Sequence, residues 1–195
     1  MRVERLTGEN LLAALDDVAQ LRITVFRDFP YLYDGDVAYE RAYLEPYRQS
    51  EDAIVVAAFD GERLVGASTG TPMEDHAEDF AAAFSGQDID MKDIFYCAES
   101  VLLPAYRGRG LGHAFFDARE AHARALGHRY VAFCGVVRPK DHPLRPETYQ
   151  PLDGFWRKRG YAPVEGAVAT YRWKDIDQPE ETDHPLQFWM RRLEG

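Results

Sequence analysis

The chain has 195 residues, 46% of them hydrophobic and 29% charged, the proportions of a globular domain with one sizeable core. It holds two cysteines, Cys97 and Cys134, each within an apolar run, which argues against a disulfide scaffold and for reduced core thiols. The net charge of −10 disfavours nucleic acid as a partner, and no apolar run approaches the ~18 residues of a membrane span.

In chain order, "MRVERL" predicts a short strand, and its lack of a signal-like apolar region predicts a cytoplasmic protein. A helix is predicted from Asn10, with Leu11, Leu15, Val18, Leu21 and Val25 at helical spacing, broken by Pro30 and Gly35. Tyr39, Tyr43 and Tyr47 recur every four residues, the pattern of a second helix. "AIVVAAFDGERLVGASTGTPM" predicts a hairpin around Asp60-Gly61. Residues 74–93 are acidic around a small apolar patch, "FAAAF", and suggest an acidic surface insertion.

Further along, "IFYCAESVLL" predicts a strand, "GLGHAFFDAREAHARAL" a helix ending at Gly127, and "YVAFCGVV" another strand. A Pro-rich loop, "RPKDHPLRPETYQP", leads to a short helix, "LDGFWRKRG", and the chain closes with strands in "AVATYRWKDI" and "PLQFWMRRL". No repeat or linker divides it. The expected fold is a single α/β (α+β) domain over 1–195, with a central mixed, mostly antiparallel sheet flanked by helices.

Charge is uneven along this layout. Residues 1–104 hold 8 basic against 21 acidic side chains, a balance of −13; residues 105–174 hold 13 against 6, a balance of +7. A basic segment in an acidic chain suits a phosphate-bearing ligand. Its most specific stretch is "RGRGLG", 107–112, between a strand and a helix. Glycines there let successive backbone N–H groups converge on an anion at the positive end of the helix dipole, and Arg107 and Arg109 add forked donors. Spacing excludes two familiar phosphate loops. A P-loop needs Lys-Ser/Thr where His113-Ala114 stands, and the dinucleotide fingerprint needs glycine at 113.

"ESVLLPAYRGRGLG" resembles motif A of the GNAT acyltransferase superfamily, an Arg/Gln-x-x-Gly-x-Gly/Ala segment after the fourth strand. Arg107, Gly110 and Gly112 fill its defining positions, Pro104 and Tyr106 match common neighbours, and the element order resembles the family over most of the chain. The resemblance implies acetyl-CoA as acyl donor, with its pyrophosphate on the amides of Gly108, Arg109, Gly110, Leu111, Gly112 and His113. It also implies that the pantetheine arm pairs with the preceding strand around Ser100, Val101 and Leu102. The implied activity is N-acetyl transfer by direct attack of an amine on the thioester.

The resemblance offers Glu99 as the base, acting through water; a lone strand glutamate also suits a surface position or a contact to a cationic acceptor. The proton donor departs from the family pattern. In "FWRKRGY" Trp156 occupies the place of a common tyrosine, and an indole N–H does not usefully give up its proton near neutrality. Tyr149, just before that helix, is the substitute candidate, with Trp156 a wall of the thioester pocket. In relatives the loop between the first two helices borders the acceptor; here Tyr31, Tyr33, Asp34 and Asp36 offer cation–π and ionic contact. The six histidines show no ligand spacing, so no metal is expected. The acceptor, the acyl-chain preference and the oligomeric state, a homodimer included, are not set by these residues. A non-catalytic acyl-CoA-binding or sensing module is the alternative reading.

Overall fold

A computed structural model describes residues 1–194. Its centre is an eight-stranded sheet. The strands are β1 (Arg2–Leu6), β2 (Ile54–Asp60), β3 (Arg63–Pro72), β4 (Ile94–Tyr96), β5 (Ser100–Leu102), β6 (Tyr130–Val136), β7 (Ala162–Lys174) and β8 (Glu181–Arg192). The order is β1-β2-β3-β4-β6-β8-β7, with β5 also pairing with β3. Only the β4–β6 pairing is parallel, and the helix α5 (Leu111–Ala125) makes the crossover it needs.

Alternation along the strands sorts the core onto two faces. Ile54, Val56, Val65, Phe95, Val131, Phe133 and Trp189 face α5 and the short helix α6 (Asp153–Lys158). Ala53, Val55, Ala57 and Ala67 face the other side, where Leu11, Leu15, Val18 and Leu21 of α1 (Gly8–Phe26) pack on them. The predicted amphipathic stripe of α1 is therefore its buried face.

Two elements differ from the sequence expectation. The tyrosine-spaced helix is two short helices, α2 (Val37–Tyr43) and α3 (Glu45–Gln49). Pro46 lies in the first turn of α3, and a proline disfavours continuous helix through the preceding turn. The acidic segment contributes α4 (Ala77–Phe84). Its acidic side chains Glu74, Asp75, Glu78 and Asp79 are exposed, while Met73, Phe80 and Phe84 are buried against β8 and β4, with the Phe80 ring 5.0 Å from Phe188 and 4.8 Å from Tyr96. The apolar patch of this segment is thus part of the core.

The predicted strand "IFYCAESVLL" is interrupted. Ala98 N–H donates to the Thr69 carbonyl and Thr69 N–H donates to the Glu99 carbonyl, so two residues oppose one. The register confirms a bulge: Thr71 pairs with Tyr96, but Ser68 pairs with Ser100. Beyond it, β5 continues along β3 while β6 pairs with β8, and the two strands diverge into a wedge. Among the described residues no helix is long and apolar enough to cross a membrane.

Candidate active site

The bulge decides where Glu99 points. Strict alternation from Tyr96 would put Glu99 on the same face as Cys97, toward α5. With the extra residue, Ala98 and Glu99 both line a pocket on the α1–α4 face, and Ser100 turns back toward α5. Glu99 is therefore a buried pocket residue, and the surface position that the sequence also allowed is excluded.

Arg119 of α5 holds this geometry. It is 1% exposed, and its Nη1 donates to the carbonyls of Thr69 (3.1 Å) and Glu99 (3.0 Å), the two sides of the bulge. Its Nη2 donates to Ser100 Oγ at 2.8 Å, and its Nε to Phe115 O at 3.3 Å. Among the described residues no carboxylate pairs with it. A buried guanidinium held by four oxygens and lying 4.9 Å from the Phe116 ring centre is a structural clamp on the strand break. Nothing in the local sequence distinguished Arg119 from other basic residues of an amphipathic helix.

On the α5 face, the motif stretch forms a cradle. Gly108 (φ +75°) and Gly110 (φ +81°) take left-handed conformations that side chains resist, and a Cβ at either would meet no atom within 4 Å. Gly110 caps α5, and the helical ladder reaches it only through Ala114 N–H to its carbonyl. The N–H groups of Leu111, Gly112 and His113 at the helix start therefore point outward beside open backbone. Gly112 is helical, and a Cβ there would touch only the Phe155 ring, at 3.7 Å.

The side chains around the cradle are committed locally. Arg107 Nε donates to Leu102 O (3.2 Å), Arg109 Nη2 donates to Ala105 O (3.0 Å), and both guanidinium groups are exposed. His113 Nδ1 lies 3.1 Å from Arg159 Nη1. Among the described residues the adjoining β5 has no strand along its other edge, where only the Arg107 side chain reaches the Leu102 carbonyl. Leu103 N–H reaches Val65 O and Thr69 N–H reaches Glu99 O, so Val101 faces β3 while Ser100 and Leu102 turn their backbone groups into the wedge. Positive-φ glycines, outward amides and an unpaired edge in one line fit a pyrophosphate followed by an extended amide-bearing arm.

Trp156 lies on this α5 face and packs on Phe133 (4.9 Å) and Trp189 (5.1 Å). A Cβ at Gly135 would come 3.1 Å from its ring, so that glycine is fitted to the indole. Tyr149 is not among the pocket-lining residues. It sits edge-on against Phe29 at 4.7 Å with the Arg145 guanidinium 4.8 Å from its ring centre, and burial raises its pKa above the ordinary tyrosine value.

The pocket beyond the bulge is compact, with a cavity volume of about 60 Å³. Phe26, Tyr31, Tyr39, Tyr43, Tyr171 and Trp173 supply its aromatic walls. Its charged end is Arg22 with Glu99, and Glu40, outside the lining, completes a buried triad with them. Arg22 Nε is 2.6 Å from Glu40 Oε2 and Arg22 Nη1 is 2.8 Å from Glu99 Oε2, to which Tyr43 OH also donates at 3.1 Å. Burial alone would lower the Arg22 pKa, but Glu99, Tyr43 and Glu40 together hold it well above its ordinary value. Burial raises that of Glu40 despite the pull of Arg22.

Of the acceptor-loop residues singled out in the sequence, the structure brings Tyr31 and Tyr33 to this pocket and leaves the two aspartates elsewhere. Asp34 pairs with Lys174 (2.8 Å) and Arg27 (3.0 Å), and Asp36 caps α2 through the N–H groups of Ala38 and Tyr39. Arg22 and Glu40 were missing from the sequence reading. A charged residue inside an otherwise apolar helical stripe is the signal that marks Arg22. Among the described residues no group of three or more His, Cys, Asp or Glu is arranged to hold a metal ion.

This geometry joins an anion cradle to a carboxylate-bearing pocket across a split strand. The model of the acetyltransferase (GNAT) family matches residues 16–146. The chain belongs to the GNAT acetyltransferase family. Solved structures agree on the fold. A ribosomal-protein-alanine N-acetyltransferase from Brucella melitensis superposes with a TM-score of 0.60 at 12% identity, covering 99% of this chain and 100% of that one. An N-acetyltransferase from Staphylococcus aureus Mu50 gives 0.58 at 12% identity over 100% of both chains. The PaiA N-acetyltransferase from Thermoplasma acidophilum, solved in complex with coenzyme A, gives 0.55 at 11% identity over 99% and 100%. No curated protein matches the chain.

Proposed function

We propose that this GNAT protein is a cytoplasmic N-acetyltransferase that moves an acetyl group from acetyl-CoA to an amine of a small molecule or protein. The observation that carries this reading is the continuity of the cradle, the strand-free edge of β5 and the Glu99 pocket across the bulge. Bound acetyl-CoA would supply an acyl group activated as a thioester. The amides of residues 108–113 would hold its pyrophosphate, with Arg107 and Arg109 screening the charge. Ser100 and Leu102 would pair with its arm, and Trp156 would wall the wedge on that side. Val101, whose backbone faces β3, serves the arm only by packing.

The acceptor nitrogen must be neutral to attack and must lose a proton. Glu99 is the residue assigned to that proton. Its Oε2 is occupied by Arg22 and Tyr43, whereas Oε1 has no hydrogen-bond partner, so Oε1 is the atom offered to an amine N–H or a bridging water. A cysteine-bound acyl group is disfavoured. Cys134 lines the pocket, but burial pushes its thiol up to about 12, leaving it protonated and weakly nucleophilic near neutrality. Direct attack remains. Tyr149 is assigned no step, because its ring lies edge-on against Phe29 and does not line the pocket.

One observation favours the second reading, a module that binds acyl-CoA without turning it over: tryptophan in place of the family's common donor tyrosine. The test is thiol release from acetyl-CoA with pooled amines. We expect release with at least one amine, a kcat about 10²-fold lower in Glu99→Gln at unchanged coenzyme affinity, and a Tyr149→Phe rate within about twofold of native. Coenzyme binding without release for any amine supports the non-catalytic module. Native kcat in Glu99→Gln removes the base assignment.

A further inference from the structure

We infer that the pocket beyond the bulge selects its acceptor by charge and shape: an ammonium on a compact apolar body, arylalkyl or branched alkyl, without a carboxylate of its own. This deepens the acyl-transfer reading, on which the word acceptor rests; the binding it describes is measurable without turnover.

The first support is the charge of the site. Arg22 is 5% exposed, Glu40 0% and Glu99 6%, and the one guanidinium is shared between the two carboxylates, of which Glu99 lines the pocket. Arg22 is the only basic side chain in the lining among the described residues, and both carboxylates already engage it. The pocket therefore holds nothing to receive an anionic group, and a buried negative charge is stabilised by a cation that enters.

The second support is unused polar capacity. Glu99 Oε1 is buried in the pocket lining and makes no hydrogen bond, whereas the Tyr33 hydroxyl bonds the Glu40 carboxylate, which lies outside the lining. An unpartnered buried oxygen is uncommon and costly, and Glu99 Oε1 is acceptor-only when ionised. An ammonium brings three donors. It can donate to this oxygen and also meet its charge, where an alcohol brings no charge and a carboxylate brings no donor.

The third support is the wall. Phe26, Tyr31, Tyr39, Tyr43, Tyr171 and Trp173 present aromatic surface, and the site already holds one cation this way, with the Arg22 guanidinium 3.8 Å from the Tyr43 ring centre. Burial raises the pKa of Tyr31, Tyr39, Tyr43 and Tyr171, so these rings stay neutral and keep electron-rich faces. The outer approach agrees in sign. A cleft between α2 and α4 shares Tyr39, Tyr43 and Tyr171 with the pocket and carries Asp79 at its rim, beside the acidic 74–93 segment. That field draws cations in and repels carboxylates.

The experiment is calorimetric titration of the folded chain with three probes of similar body: 2-phenylethylamine, 2-phenylethanol and phenylalanine. We expect the amine to bind at least about tenfold more tightly than the alcohol, which lacks the charge, and than the amino acid, which adds a carboxylate. In Glu99→Gln the amine's advantage over the alcohol should shrink to less than about threefold. Alcohol or phenylalanine binding as tightly as the amine, or no amine binding at millimolar concentration, overturns the inference without any variant having to fold. An unchanged advantage in folded Glu99→Gln overturns it as well. Thiol release separates the two readings. Selective amine binding with no release supports the cation pocket and counts against acyl transfer. Release confined to carboxylate-bearing amines supports acyl transfer and overturns the cation pocket.

Discussion

At Gly110 and Gly112 the same residue type does two different jobs. Gly110 sits at φ +81°, so any side chain there is strained by about 1 kcal/mol whatever the free space around it. Gly112 is helical, and a methyl group would make only ordinary contact with Phe155. Gly112→Ala should therefore keep or slightly raise stability, by up to about 1 kcal/mol from helix propensity, while weakening acetyl-CoA binding by crowding the amides. Gly110→Ala should lose both stability and binding. Urea denaturation and calorimetry on the two variants check this. Native acetyl-CoA affinity in a stable Gly112→Ala protein would remove the cradle assignment at that position.

The bulge and its clamp belong to the scale of elements, since they set how α5 sits on β3 and β5. Arg119 is the only side chain described that reaches both sides of the break, through Thr69 O and Glu99 O. Replacing it with Met removes a buried charge, which is a gain, and leaves the bulge carbonyls and Ser100 Oγ short of donors, which is a loss. Charged hydrogen bonds of this kind are worth roughly 1.5–3 kcal/mol, so Arg119→Met is expected to cost about 2 kcal/mol on balance. Arg119→Lys keeps charge without the fork and should recover only part of it. Chemical denaturation of both variants is the check, and a native midpoint in Arg119→Met would mean that the strand break holds itself. A second network ties α6 to α5: Glu120, 3% exposed, accepts from Arg159 (3.0 Å), Tyr161 (3.0 Å) and Arg191 (3.1 Å). It fixes the helix that carries Trp156.

Over the whole molecule the charge is divided in a way that suits two ligands of opposite sign. The basic balance of residues 105–174 includes the cradle and α5, and the acidic balance of residues 1–104 includes the triad carboxylates and the α4 rim. Acetyl-CoA affinity should fall as salt rises, because exposed Arg107 and Arg109 act through screened water. The slope should be shallower in Arg109→Ala than in the native protein. Calorimetry at two ionic strengths, ~0.05 M and ~0.3 M, would read this directly. Equal slopes would make Arg109 a solvated surface residue held by Ala105 O and the Tyr106 ring.

What the sequence determined by itself was everything carried by local pattern. Helical spacing located α1 and α5, the Asp60-Gly61 pair located the β2–β3 hairpin, and the glycine spacing of 107–112 marked an anion cradle and the family. These follow from periodicity and backbone freedom, which a few consecutive residues express. The pocket was legible only in part: Tyr31, Tyr33 and Glu99 were singled out, but the acidic partner was sought in Asp34 and Asp36, which the fold uses for a salt bridge and a helix cap. Tertiary structure alone decided that Glu99 faces inward, because one extra residue opposite Thr69 shifts the alternation by a single step. It also brought Arg22, Glu40 and Glu99 together from α1, α2 and the bulge. Their meeting depends on packing across 77 positions of chain, and no spacing rule reaches that far.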